Sequence, residues 1–320
     1  MKNALLSAML IVMVSAASAS VATDTLNYEN FGKILIYKPS HAPESVVLFV
    51  SGENGWKPGL SELALQLASQ GAIVVGIDER IYLKNRDKQH EKCLYPAGDF
   101  ETLSLYLQKK YSIRNYFKPI LLGYSSGGTL VYGTLAQAPA NTFKGAVAIA
   151  FTPDMASTKP LCEGSGLKIH PLKAANFWHL DPCSKITAPF VAISGVNDKV
   201  FSNMEMTAFL KSIPTSELLV VSQAEHTLVM PKDWIPQLLK AYHKIQESTS
   251  YPDVAAVGSQ AVKRKDPHPD TELPLVVLPA AGDDAMPLVV FISGDGGWTS
   301  FDQGIAEKLV AKGSPVVGID

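Results

Sequence analysis

The chain has 320 residues, of which 47% are hydrophobic, enough for one large domain or two modest ones with their own cores. The formal net charge is −2 and the basic residues are dispersed, which excludes the electrostatic footprint of a nucleic-acid-binding protein. The spacing of the three cysteines matches no zinc site, so we expect neither a metal nor another cofactor.

The N-terminus has the layout of a secretory signal peptide. One lysine precedes an apolar run over 4–14, and the small residues at 17–19 and 20–22 both fit a cleavage site. The alternative is an uncleaved membrane anchor, which the shortness of the run disfavours. We therefore predict a signal peptide over residues 1–22 and export of the mature protein into a bacterial periplasm.

Residues 23–250 alternate between apolar runs of strand length and segments of helix length. The runs are rich in Val, Ile and Leu without polar alternation, as in a parallel sheet covered on both faces. The predicted strands are Ile34–Tyr37, Val46–Val50, Ala72–Ile77, Pro119–Gly123, Gly145–Ala150, Phe190–Ser194 and Leu218–Val221. The predicted helices are Leu60–Ser69, Asp99–Lys110, Gly128–Gln137, Asn203–Ser212 and Asp233–Gln246. This order predicts a doubly wound, mainly parallel α/β domain, in which ligands bind beyond the carboxyl ends of the strands.

The loop after the second predicted strand is a candidate oxyanion hole. It reads F-V-S-G-E-N-G-W, and the backbone N–H of Glu53 or Asn54 is placed to meet charge on a substrate carbonyl. The other donor expected on such a fold is the N–H of Ser126, directly after the candidate nucleophile described next. The alternative interpretation of the loop is a plain glycine turn into the following helix.

The segment G-Y-S-S-G at 123–127 lies between a predicted strand and a predicted helix. A bare G-x-S-x-G match occurs by chance in about one in ten chains of this length. The strand, turn and helix around it are what a nucleophile elbow needs, and glycines on both sides relieve crowding at the bend. Ser125 is therefore the candidate nucleophile.

A serine nucleophile needs a base, and that base needs an orienting acid. On this fold the acid and then the histidine follow the serine along the chain, each after a strand. Asp198 and His226 fit this order. Asp154, which follows an earlier strand, is the alternative acid, and Asp198 would then merely cap the next helix.

The long segment 151–189 lies between two predicted strands, and we predict that it forms a cap controlling substrate access. Cys162 and Cys183 flank part of it, and an exported chain meets an oxidising environment. We therefore predict a disulfide between these two, which leaves Cys93 as an odd thiol.

The beginning of this domain recurs at the end of the chain. The motif V-V-L-F-V-S-G-E-N-G-W at 46–56 returns as L-V-V-F-I-S-G-D-G-G-W at 288–298, a constant offset of 242. The offset holds without gaps from the apolar run at 33–37 to the V-V-G-I-D segment at 316–320. A fixed offset of this kind predicts a duplicated domain. We expect an α/β domain over 23–250, a polar linker over 251–271 and a truncated second copy over 272–320.

Both copies of the tryptophan motif, together with L-L-G-Y-S-S-G-G, resemble the VirJ/AcvB family of bacterial virulence proteins. The resemblance implies an α/β-hydrolase fold in the periplasm and a serine hydrolase that cleaves the lysyl ester of lysyl-phosphatidylglycerol. Three departures stand out. In the family, hydrolysis is tied to the motif serine of the C-terminal copy, which this second copy does not reach. The first copy also carries Gly128 where the family usually has alanine, and Glu53-Asn54 where the second copy has Asp295-Gly296.

We therefore expect a periplasmic serine hydrolase whose partner is an aminoacylated phospholipid at the membrane surface, with no nucleic-acid partner. Two alternatives stay open. A general periplasmic esterase would use the same three residues with a different pocket. A catalytically silent hydrolase fold would instead act as a binding or scaffold protein for secretion-system or exported proteins, because fold alone does not establish chemistry.

Overall fold

The computed structural model describes residues 22–113, 115–248, 275–280, 287–293 and 298–319. The chain divides into two compact units, Met1–Asp253 and Val254–Asp320. The predicted signal peptide, up to residue 21, and the predicted linker lie outside the described residues. Within the described ranges, no helix combines the length and the apolar character needed to cross a bilayer.

The first unit is a layered α/β structure. Its strands are β1 (Ala22–Tyr28), β2 (Gly32–Lys38), β3 (Ser45–Val50), β4 (Ala72–Ile77), β5 (Ile120–Tyr124), β6 (Gly145–Ile149), β7 (Asp154–Ala156), β8 (Ile169–Pro171), β9 (Phe177–Leu180), β10 (Phe190–Gly195) and β11 (Ser216–Val221). Its α-helices are α1 (Pro58–Ser69), α2 (Glu79–Asp87), α3 (Pro96–Lys110), α4 (Ser126–Gln137), α5 (Asn203–Leu210) and α6 (Pro231–Glu247).

The main sheet has eight strands in the order β1-β2-β4-β3-β5-β6-β10-β11. Only the pairs β1–β2 and β2–β4 are antiparallel, and the remaining pairs are parallel. The predicted fold class, a mainly parallel and doubly wound sheet, is confirmed.

Helices cover both faces of this sheet, as strand β3 illustrates. Val46, Leu48 and Val50 belong to one buried cluster, which they share with residues of α3 and α4. Val47 and Phe49 belong to a second cluster, shared with residues of α1 and α6. All five are at most 1% exposed, and burying each such side chain contributes about 1.5–3 kcal/mol. Burial on both faces explains the continuous apolar runs in the sequence.

Helix α2 was not among the predicted elements. Its sequence, E-R-I-Y-L-K-N-R-D, is mostly charged and shows no apolar stripe. The helix forms because Asp78 caps it, accepting a hydrogen bond from the Arg80 backbone N–H at 3.0 Å, and because Tyr82 is fully buried. This helix carries Glu79 to the neighbourhood of the elbow.

The predicted Cys162–Cys183 disulfide is wrong. Cys93 bonds to Cys162, with 4.9 Å between their Cα atoms, and Cys183 is a buried free thiol. The backbone N–H of Cys162 donates to the Leu94 carbonyl at 2.8 Å, which brings the two segments together. The backbone N–H of Cys183 instead donates to the Tyr132 hydroxyl at 2.8 Å. Proximity in sequence misled the prediction because a disulfide requires close Cα atoms, whatever the length of chain between them.

The segment predicted to form a cap is an ordered layer on α4. It contains a small antiparallel sheet in the order β7-β9-β8. Tyr132 of α4 donates to the Asp181 carbonyl at 2.7 Å, and Thr129 donates to the Thr152 carbonyl at 2.7 Å. The layer is thus fixed to the helix that follows Ser125, while its control of substrate access stays a prediction.

The second unit repeats part of this arrangement. Its elements are β12 (Leu275–Leu278), β13 (Val289–Ile292), α7 (Ser300–Val310) and β14 (Val316–Ile319), with the strand order β12-β14-β13. Val289 pairs with Val316 in the parallel pair. The residues 242 positions earlier, Val47 and Val74, pair in the same register in the first unit.

The prediction of a gapless repeat is wrong by one residue in the first strand of each copy. Leu35 pairs with Gly76 in the first unit, and Val276 pairs with Gly318 in the second. Leu35 therefore corresponds to Val276, at an offset of 241, whereas Gly76 corresponds to Gly318, at an offset of 242. The loop between strands absorbs the difference, because surface connections tolerate single-residue changes.

The repeated tryptophan has the same surroundings in both units. A Cβ on Gly76 would lie 2.8 Å from the Trp56 ring, and a Cβ on Gly318 would overlap the Trp298 ring. The indole N–H of Trp56 donates to Ser61 at 3.0 Å, and that of Trp298 donates to Gln303, 242 residues after Ser61, at 2.9 Å. The V-V-G-I-D segment therefore requires a glycine, because any side chain at that position would clash with the ring of the motif tryptophan.

Candidate active site

Ser125 lies on a strained bend between β5 and α4. Its φ of 52° and ψ of −122° are rare for a residue with a side chain. Its backbone N–H donates to the Ile149 carbonyl at 2.8 Å, which fixes the bend to the end of β6. A Cβ on Gly123 would overlap the Gly127 carbonyl, and a Cβ on Gly127 would lie 2.7 Å from the Val50 carbonyl oxygen. Both glycines of G-x-S-x-G are therefore sterically required.

The structure brings the three predicted side chains into one hydrogen-bonded chain. Ser125 Oγ lies 3.1 Å from His226 Nε2, and His226 Nδ1 lies 2.9 Å from Asp198 Oδ2. A carboxylate oxygen only accepts, so Nδ1 carries the proton of the neutral ring and Nε2 is free to accept from the serine hydroxyl. This is the arrangement in which an imidazole can remove the proton of a serine.

Asp198 is held by its own loop. Its carboxyl is 1% exposed, and Oδ1 accepts from the backbone N–H groups of Val200 at 2.9 Å and Phe201 at 3.2 Å. Oδ2 is thereby aimed at the imidazole. The alternative acid, Asp154, lies on β7 and accepts from His179 Nδ1 at 2.6 Å. Of the two acids, only Asp198 contacts His226 in the described structure.

Tyr124, directly before Ser125, positions the loop that carries His226, and sequence reasoning missed it. Its hydroxyl accepts from the Leu228 backbone N–H at 3.2 Å and donates to the His226 carbonyl at 3.5 Å. Burial raises the pKa of Tyr124, so the phenol stays neutral and can serve both partners. The tyrosine is visible in G-Y-S-S-G, but no sequence pattern shows that it faces a loop 102 residues later.

The loop predicted to supply an oxyanion donor passes directly beside Ser125. A Cβ on Gly52 would lie 3.2 Å from Ser125 Cβ. The Gly52 carbonyl accepts from the Gly55 N–H at 2.8 Å and from Ser51 Oγ at 3.2 Å. Because a trans peptide directs its C=O and N–H to opposite sides, these bonds direct the Glu53 N–H away from the turn.

The two candidate donors are free of competing partners. Within the described residues, the backbone N–H groups of Glu53 and Ser126 donate no hydrogen bond. Ser126 is the first residue of α4, where N–H groups lack intrahelical acceptors and the helix end carries partial positive charge. Asn54, the other predicted loop donor, uses its side chain to contact Glu53 at 2.8 Å.

Glu79 is a buried carboxyl beside the elbow that the sequence did not reveal. It is 3% exposed and accepts a short hydrogen bond from Ser126 Oγ. Burial is the largest influence and raises the pKa of Glu79 to about 8, helped by the charges of Glu53 and Asp78 and opposed by the Ser126 hydrogen bond. The carboxyl is therefore protonated at neutral pH.

The described part of the chain contains no group of three or more His, Cys, Asp or Glu side chains placed to hold a metal ion. The chemistry available at this site is that of a serine, an imidazole, a buried carboxylate and backbone donors.

A sequence model of the family described as "Bacterial virulence protein (VirJ)" matches residues 44–151 and 286–320. Over these two segments the chain is similar to the VirJ family. The first matched segment contains the candidate oxyanion loop, Glu79 and Ser125, and it ends before Asp198 and His226. The second matched segment begins 242 residues after the first, at the offset of the internal repeat.

Solved structures of hydrolases are similar to this chain. A putative dienelactone hydrolase from Klebsiella pneumoniae subsp. pneumoniae MGH 78578 is 13% identical, with a TM-score of 0.53 over 72% of this chain and 100% of that chain. The esterase domain of a Rhodothermus marinus protein is also similar. It is 14% identical, with a TM-score of 0.47 over 71% of this chain and 98% of that chain. So is XC6422 from Xanthomonas campestris, described as a member of a/b serine hydrolase without lid. It is 15% identical, with a TM-score of 0.47 over 72% of this chain and 96% of that chain.

At 13% identity, the likeness to the putative dienelactone hydrolase shows an α/β-hydrolase fold and nothing about substrate. The curated proteins gave no match to this chain.

Proposed function

We propose that this protein is a serine hydrolase that cleaves carboxylic esters, with Ser125 as nucleophile, His226 as general base and Asp198 as the acid that orients it. The observation that carries the proposal is the hydrogen-bonded chain from Ser125 through His226 to Asp198, at a strained bend beside unpaired backbone donors.

The mechanism is acyl transfer in two halves. His226 Nε2 takes the Ser125 proton as Oγ attacks the ester carbonyl, and the ring then delivers that proton to the departing alcohol. Asp198 fixes the ring tautomer and stabilises the imidazolium. The N–H groups of Ser126 and Glu53 stabilise the negative oxygen, a contribution worth about 3–4 kcal/mol per donor in comparable sites. Water, activated by the same imidazole, then releases the acyl group.

For the substrate we propose lysyl-phosphatidylglycerol or a related aminoacylated lipid, cleaved at the ester between the amino acid and the head group. The similarity to the VirJ family over 44–151 and 286–320 supports this choice. So does the exposed carboxylate of Glu53, whose Oε2 lies 3.4 Å from Ser126 Oγ and is placed to attract a cationic acyl group. Asp154, the other acid considered for this role, is engaged by His179.

We place the enzyme in the periplasm, at the outer face of the membrane that holds such lipids. The N-terminal pattern of the sequence supports this location. The Cys93–Cys162 disulfide supports it too, because disulfides persist in oxidising compartments.

The test is the release of free lysine from vesicles containing lysyl-phosphatidylglycerol, with Ser125→Ala compared with the wild type. Ser69→Ala is the matched control, because Ser69 is an exposed serine at the end of α1. We expect turnover by the wild type and the control and none by Ser125→Ala. Full turnover by Ser125→Ala would overturn the proposal.

The identity of the acyl group has its own test. Glu53→Gln should raise KM for the lysyl ester several-fold and leave KM for the neutral ester p-nitrophenyl acetate unchanged. Equal effects on both substrates would contradict the cationic preference and favour a general esterase. A folded wild type that cleaves neither ester would favour a binding or scaffold role for secretion-system or exported proteins.

A further inference from the structure

Glu79 connects the two backbone segments that would form the oxyanion hole. Its carboxyl accepts from Ser126 Oγ, at the start of α4, and its backbone N–H donates to Ser51 Oγ at 3.1 Å, at the start of the loop after β3. The mechanism above gives Glu79 no role. A glutamate buried to 3% exposure needs a reason to be there, because an unpaired charge is costly to bury.

We propose that Glu79 is a positioning residue that, in its uncharged form, holds the two oxyanion donors in place without adding a second negative charge beside them. The inference rests on the proposed function, since it needs Ser125 to be a nucleophile.

The hydrogen bonds explain how one residue can act on both donors. On one side, the Glu79 N–H fixes the Ser51 hydroxyl, which donates to the Gly52 carbonyl at 3.2 Å. That carbonyl belongs to the peptide whose N–H is the Glu53 donor. On the other side, the Glu79 carboxyl fixes the side chain of Ser126, whose own N–H is the second donor. A displacement of about 1 Å at such donors is enough to cost on the order of 100-fold in rate.

The surroundings of Glu79 favour its neutral form. From the loop after β3 it faces the carboxylate of Glu53, and from the end of β4 it faces Asp78. Arg80, the next residue along the chain, pairs its guanidinium with Asp78 at 2.7 Å. The helix ends that face Glu79, those of α2 and α4, carry only partial positive charge. Burial and the two carboxylates together raise the pKa of Glu79 to about 8.

Charge on Glu79 would act against catalysis. A second negative charge beside Ser126 would repel the oxygen anion that forms at the neighbouring N–H groups, and a carboxylate that is only 3% exposed is poorly screened by solvent. The structure therefore connects the ionisation of Glu79 with the loss of transition-state stabilisation at alkaline pH.

The experiment measures the rate at which a fluorophosphonate probe labels Ser125 between pH 6 and pH 9.5. The variants are Glu79→Gln, which copies the neutral acid, Glu79→Ala, which removes the connection, and the matched control Glu62→Gln on the exposed face of α1. Wild type and Glu62→Gln should lose labelling rate as the pH rises through about 8. Glu79→Gln should keep its rate to pH 9.5, and Glu79→Ala should be slower by roughly 10- to 100-fold at every pH.

Three results would overturn the inference: an alkaline loss in Glu79→Gln equal to that of the wild type, no alkaline loss in the wild type, or a normal rate in Glu79→Ala. Thermal unfolding is recorded for each variant. If Glu79→Ala does not fold, the comparison of Glu79→Gln with the wild type still tests whether ionisation of Glu79 causes the alkaline loss of labelling rate. A wild type that is not labelled at any pH would refute the proposed function. Labelling of the wild type with unchanged variants would refute the role of Glu79 alone.

Discussion

Two adjacent glycines at the start of α4 offer a matched perturbation of the site. A methyl group added at Gly127 would stand 2.7 Å from the Val50 carbonyl oxygen and closer still to that of Ser51. A methyl group added at Gly128 would meet its nearest atoms at 3.5 Å, an ordinary contact. Identical substitutions at neighbouring positions should therefore have opposite outcomes.

The expected magnitudes follow from these distances. In Gly127→Ala the loop carrying Ser51 must retreat from the elbow by more than about 1 Å, because non-bonded heavy atoms rest about 3.5 Å apart. Overpacking of this kind costs about 1–3 kcal/mol of unfolding free energy. The same displacement moves the oxyanion donor of the loop, so ester turnover should fall by about 100-fold. Gly128→Ala should be stabilising by about 0.5–1 kcal/mol, since alanine favours a helix over glycine, and should keep its turnover.

The assay is thermal unfolding of both variants together with the turnover of p-nitrophenyl acetate. For a domain of this size, each kcal/mol shifts the melting temperature by about 2–4 °C. Gly127→Ala should melt lower than the wild type and Gly128→Ala at the same temperature or higher. If Gly127→Ala were as stable and as active as Gly128→Ala, the close approach of the oxyanion loop to the elbow would be refuted.

Three further predictions concern residues outside the elbow. Asp198→Asn should lower ester turnover by roughly 10³- to 10⁴-fold while Asp154→Asn leaves it unchanged, and the reverse order would restore Asp154 as the triad acid. Cys93→Ser should cost about 2–4 kcal/mol of unfolding free energy and abolish the response of the melting temperature to reductant, whereas Cys183→Ser should respond to reductant as the wild type does. Because burial raises the pKa of Glu79 from 4.5 to about 8, its contribution to stability is complete below pH 4.5 and is lost as the pH rises to about 8. Urea unfolding should show this loss in the wild type, and Glu79→Gln should lack it.

The parts of the fold that could be predicted from the sequence are those with a local signal. Strands buried on both faces read as continuous apolar runs, as in Val46–Val50. The elbow could be predicted because steric crowding on both sides of Ser125 demands glycine. The order of Asp198 and His226 followed from the positions of strands and loops alone.

The parts that could not be predicted depend on contacts between distant segments. Strand β1 carries the polar sequence A-T-D-T-L-N-Y, as an edge strand can, and so lacks an apolar run. Helix α2 is charged, and Glu79 within it resembles a solvated residue until the fold buries it. The pairing of Cys93 with Cys162 spans 69 residues, so no spacing in the sequence indicates it.

The most direct test of the account is to identify the residue that reacts with a fluorophosphonate probe, by peptide mass spectrometry of the labelled wild type. The account predicts a single labelled serine, Ser125, and loss of that label in His226→Gln with the fold retained. Label on another serine, or undiminished labelling of Ser125 in His226→Gln, would contradict it.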